Sequence, residues 1–134
     1  MTVGVSLVKF LERKGYGVSG QNIFLFEVPN SLKTETEVLW IVTSGGQTVN
    51  RNRTGELIKN YQFYVYFRST KAKRVDEVLD AMEKLFNCSS CVELEGYELV
   101  SLSANQYPTM QDPDSENRRF GFISIQMEVY EKCN

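Results

Sequence analysis

Cys88-Ser89-Ser90-Cys91 is the first stretch of this 134-residue chain whose residue types and spacing suggest chemistry. A C-x-x-C pair can exchange electrons or hold a soft metal. Redox pairs of this kind open a helix, where the dipole lowers the thiol pKa. Here the pair follows an amphipathic stretch, so the dipole acts in the wrong direction. Zinc asks for four ligands, and in a chain without histidine Cys133 is the one further conventional soft ligand, unless a metal is shared between subunits. The start Met1-Thr2-Val3-Gly4-Val5 lacks the basic and apolar runs of a secretory signal, so synthesis in the cytosol is expected. In that compartment the cysteines read as free thiols rather than staples.

The other candidates are weaker. Without histidine there is no Ser-His-Asp triad, no Cys-His dyad and no His-ligated metal. Gly45-Gly46 lacks the lysine and hydroxyl residue that complete a phosphate loop and reads as a turn. Glu35/Glu37 and Glu93/Glu95 fall in polar or alternating stretches and read as solvent-facing. The expectation is a chain that is not an enzyme, with no catalytic, cofactor-binding or metal residues and no small-molecule substrate. Arg68, Lys71, Lys73 and Arg74 form a basic cluster at the start of a helix. Cations there oppose the macrodipole at about 0.3–1 kcal/mol each when exposed. Either solvent absorbs that cost, or these residues meet acidic groups on a partner or an adjacent subunit, with Arg51, Arg53, Arg118 and Arg119 joining the same surface.

The elements that position these residues follow from hydrophobic period. Val5, Val8 and Leu11 recur at helical spacing until Gly15 and Gly17, which predicts a helix over about Val3–Lys14. Ile23–Val28 and Val38–Thr43 are apolar runs that read as strands, the second buried on both faces. Trp40, Phe24 and Phe26 are read as core. Residues 44–59 have no clear period and are expected to form a mobile loop, or a hairpin turned on Gly45-Gly46. Asn60–Arg68 alternates: Tyr61, Phe63, Val65 and Phe67 on one face, Gln62, Tyr64, Tyr66 and Arg68 on the other. Tyr64 and Tyr66 are either covered within the domain or buried by another chain. Val75, Val78, Leu79, Met82, Leu85 and Phe86 form the stripe of a helix over about Lys71–Asn87. Val92–Leu94 and Tyr97–Ala104 suggest a hairpin around Glu95-Gly96. A second mobile loop is expected over 105–117. The last strand, about Arg119–Glu131, turns Ile123, Ile125, Met127 and Val129 inward and Ser124, Gln126 and Glu128 outward.

Length and composition suit one domain over residues 1–134. Its expected fold is α+β, one mainly antiparallel or mixed sheet of about four to six strands with two helices on one face. A net charge of −2 argues against a general nucleic-acid binder, and no apolar run approaches the ~18 residues of a membrane span.

The order of these features resembles the small tail-terminator and tail-completion proteins of long-tailed bacteriophages, some of them described as minor capsid or head-tail joining proteins. The resemblance runs from the first helix to the last strand. It rests on Val38-Leu39-Trp40-Ile41-Val42-Thr43-Ser44-Gly45-Gly46, on Phe63-Tyr64-Val65-Tyr66-Phe67-Arg68 before the helix to Phe86, on Leu94-Glu95-Gly96-Tyr97, on Tyr107-Pro108, and on Asp112–Arg119 leading into the closing strand. The Cys-x-x-Cys and Asn50-Arg51-Asn52-Arg53 are not features of that family. The resemblance implies an α+β protein that assembles as a hexameric ring in the virion at the head-tail junction. Such a ring caps the tail tube, ends its polymerisation and offers a surface to the head connector or stopper. Double-stranded DNA passes through its lumen without specific binding, which a nearly neutral chain suits. The rival readings are another neck protein (head-completion or stopper), a small cytosolic redox or metal protein using Cys88 and Cys91, and a soluble bacterial adaptor.

Overall fold

The computed structural model describes residues 2–33, 36–51, 57–106 and 117–131, with backbone alone for 44–51 and 131. The order is α1 (Val3–Arg13), β1 (Ile23–Leu25), β2 (Val38–Arg51), β3 (Leu57–Ser69), α2 (Ala72–Phe86), a 3₁₀ turn (Ser89–Cys91), β4 (Glu98–Gln106) and β5 (Arg119–Glu131). The strands form one mixed sheet in the order β1-β2-β3-β5-β4. Only the β1–β2 pair is parallel. The fold is α+β, as expected.

Both helices cover one face. Leu7, Phe10 and Leu11 of α1 and Val75, Leu79, Met82 and Phe86 of α2 meet Leu39, Ile41, Phe63, Val65, Ile123, Ile125, Met127 and Val129 from the sheet in one cluster. Phe10 and Phe86 meet edge-on at 5.9 Å. The alternation predicted for β3 and β5 is the pattern that fills this core. Helix α1 starts on Thr2, whose hydroxyl accepts from Val5 N at 3.3 Å. It ends in a Schellman arrangement. Gly15 N donates to Glu12 O, Tyr16 N donates to Leu11 O, and Gly15 takes the positive φ of 86° that this stop requires.

Several expectations are corrected. The first strand ends at Leu25, not Val28. Phe26 turns out at φ 72° and is 52% exposed, so it is not core. The expected loop over 44–59 is strand over 44–51 and 57–59. Gly45-Gly46 is no turn: it lies where the register slips between Thr43 and Gly46, an irregularity that an extra residue in an otherwise continuous strand produces. Residues 52–56, between β2 and β3, lie outside the described residues. Val92–Leu94 forms no strand. Val92 and Leu94 bury their side chains from an irregular connection that packs on α1, and β4 pairs with β5 instead. Of the expected second loop, Asn105 and Gln106 belong to β4, and 107–116 lie outside the described residues.

Candidate functional site

The helix-free face of the sheet gathers the side chains with most to offer a partner. By register Trp40 lies beside Tyr66, Tyr66 beside Phe122, and Arg68 between Val38 and Phe120. Trp40 stacks on Tyr66 with ring centroids 5.0 Å apart and planes 8° from parallel. Tyr66 lies 5.2 Å from Phe122, and Tyr64 meets Phe122 edge-on at 6.0 Å. Phe120 closes the row 6.4 Å from Trp40. All five rings are half-buried, and none belongs to the helix-side core. Trp40 is therefore not core, a correction to the continuous-run reading of β2. Aromatic rings gathered on a sheet face that no helix covers among the described residues suit contact with another protein.

The sequence pointed to Tyr64, Tyr66 and Arg68 on this face but missed Trp40, Phe120 and Phe122. Extending the outward set Ser124, Gln126 and Glu128 two steps back along β5 would have found both phenylalanines. In Trp40 the signal was hidden, because Val38–Val42 is apolar at every position.

The basic cluster divides. Arg74 Nε donates to Glu37 Oε1 at 3.2 Å, and Ser69 Oγ donates to Glu37 Oε2 at 2.9 Å while accepting from Lys71 N at 3.1 Å. Glu37, at the mouth of β2, thus sets a carboxylate near the start of α2. That offsets the cations that oppose the helix dipole. Lys73 reaches Glu77 at 3.9 Å, one turn along the helix, and both are largely exposed. Lys71, the helix N-cap, is exposed. Arg118 and Arg119 are half-buried at the same end of the sheet, Arg119 opposite Ser69. Arg51 does not join them. It pairs with Leu57, eleven residues along β3 from Arg68, roughly 35 Å at strand rise. Arg53 lies outside the described residues.

Cys88 and Cys91 form a disulfide, which corrects the free-thiol expectation. The pair follows the end of α2, as read from the sequence, with Cys88 N donating to Leu85 O. Beside it a cleft of about 690 Å³ is lined by Phe10, Arg13, Lys14, Cys91, Glu93 and Glu95. Its walls are tied together: Ser6 Oγ donates to Glu95 O at 2.6 Å, and Arg13 Nη2 to Glu93 O at 2.8 Å. A second cleft, about 360 Å³, lies between the Gly15–Gly17 turn and α2, with Tyr16, Glu37, Arg74 and Glu77 around it. Burial pushes the Tyr16 phenol up from its ordinary value. Among the described residues no group of three metal-ligating side chains comes together, and no helix is long and apolar enough to cross a membrane. No protein-family model matches the sequence, and no curated protein matches it.

Proposed function

We propose that this chain is a structural, non-catalytic virion protein of a long-tailed phage. It is made in the bacterial cytoplasm and assembles as a hexameric ring at the head-tail junction. The ring caps the tail tube, ends its polymerisation and gives the head connector a surface to join, and DNA passes through its lumen. The observation that carries the reading is the aromatic row Trp40, Tyr64, Tyr66, Phe120 and Phe122 on the helix-free face. Such a face suits contact with a second protein, and the chain has no imidazole for acid-base or triad chemistry. The α+β fold agrees with the resemblance carried by the strand-helix order.

Electron microscopy of the protein mixed with purified tail tubes and, separately, with DNA-filled heads tests it. Rings at tube ends support the reading. Binding to heads alone moves the chain to the head-completion or stopper class, and turnover of a substrate removes the structural reading altogether.

The Cys88–Cys91 disulfide favours a second reading, a small redox protein, because Cys91 is exposed at the wall of a cleft. Its position after a helix C-terminus disfavours a thiolate there. Replacing both cysteines by serine separates the two: assembly that survives belongs to the structural reading.

A further inference from the structure

The two halves of the disulfide stand in different surroundings. Cys91 is exposed and lines the cleft of about 690 Å³. Cys88 is half-buried and is not among the described residues that line it. Ser90 sets its Oγ 3.4 Å from Cys88 Sγ. A nucleophile that enters the cleft therefore meets Cys91 first. A sulfur that departs as Cys88 has a hydroxyl beside it that can donate.

The cleft carries both signs of charge. Arg13 and Lys14, at the end of α1, stand over the Phe10 ring at 5.9 and 5.7 Å from its centroid. The ring's face favours cations there. Arg13 gives one of its several donors to Glu93 O at 2.8 Å. The Glu95 carboxylate lies 3.7 Å from the Lys9 ammonium. Arg13, Lys14, Glu93 and Glu95 are all exposed. Small-ligand sites commonly span about 300–1,000 Å³, so the volume suits a short peptide. Two cations and two carboxylates suit a ligand that is itself a zwitterion, with carboxylates for Arg13 and Lys14 and an ammonium group for Glu93 and Glu95. The exposed sulfur in the wall suits one that also carries a thiol.

We propose that Cys91 is a modification site for a zwitterionic peptide thiol. The incoming thiol loses its proton, and its sulfur attacks Cys91 Sγ. The new S–S bond forms as the Cys88–Cys91 bond breaks. Cys88 leaves with the electron pair and takes up a proton, because the helix end before it disfavours a thiolate. The products are a mixed disulfide on Cys91 and a thiol on Cys88, with no other oxidant or reductant involved. The inference goes beyond ring assembly and does not depend on it.

The test compares thiols of different charge. Cys133→Ser removes the remaining cysteine from every sample. The oxidised protein is mixed with glutathione, mercaptoethanol or mercaptopropionate, quenched in acid and mapped by mass spectrometry. Each rate is divided by that thiol's rate with hydroxyethyl disulfide, which corrects for intrinsic reactivity. Glutathione is expected on Cys91, at a corrected rate about threefold or more above that of mercaptoethanol. Mercaptopropionate, which has the carboxylate but no ammonium group, should fall between them. Lys14→Glu should remove the glutathione advantage. Both thiols meet the same folded chain, so the ratio cancels any loss of stability. Glutathione on Cys88, equal corrected rates in the wild type, mercaptopropionate ahead of glutathione, or a ratio that Lys14→Glu leaves unchanged each overturns the inference. A mixed disulfide too brief to trap is approached from the other side, with oxidised glutathione and single-cysteine chains. Cys91 in Cys88→Ser should be modified about fivefold faster than Cys88 in Cys91→Ser, and an equal or slower rate overturns the inference. Tail tubes take no part in these measurements, so loss of the virion reading leaves their outcome standing.

Discussion

Asn87 does three jobs with one carboxamide. It donates to Glu83 O at the end of α2, and to and from Ala104 it supplies the donor and acceptor that a neighbouring strand would offer. Removing it leaves the Ala104 backbone groups without that partner, so Asn87→Ala should cost about 1–3 kcal/mol in urea unfolding. Asn87→Asp keeps the acceptor and loses the donor, and its stability should fall between the two. Tyr16 gives a pH prediction. Its phenol holds its proton more tightly folded than unfolded, so its contribution is fully present below the ordinary value of 10.0 and is lost as pH rises past that value toward the higher folded one. Tyr16→Phe should therefore lose less stability than wild type between about pH 9 and about pH 11, read from denaturant midpoints at each pH.

The two faces of the sheet should respond differently to truncation. Phe86 is fully buried against Phe10 in the helix-side core, and Phe86→Ala should cost about 3–5 kcal/mol in urea unfolding. Trp40 rests half-buried on Tyr66, and Trp40→Ala should cost only about 1–2 kcal/mol by the same measurement. The elements best legible in the sequence were those with a clean period. In α2 the stripe from Val75 to Phe86 and in β3 and β5 the alternation around Phe63 and Ile125 left one arrangement. Where the period failed, so did the reading. Ser44-Gly45-Gly46-Gln47 has turn composition but serves a register slip inside a long strand, whose identity depends on pairing with the distant stretch Asn60–Phe63. Val92 and Leu94 alternate as strand residues do, yet they reach the common core from an irregular connection. Of the candidate site, Tyr64, Tyr66 and Arg68 were legible from alternation. The rings beside them come from β2 and β5, and only the sheet order brings them together.

For the assembled particle, Trp40→Ala with Tyr66→Ala should leave a folded chain that no longer docks on tail tubes, scored by electron microscopy and cosedimentation against wild type. The covalent link between Cys88 and Cys91 bears on where such a chain can exist. It closes a loop of only four residues, and a loop so small restricts the denatured chain by about 2 kcal/mol at most. Adding dithiothreitol should accordingly lower the urea midpoint only modestly. A polypeptide so weakly dependent on its oxidation state can fold in a reducing cell and then persist in open air, a freedom that suits any particle built indoors and released.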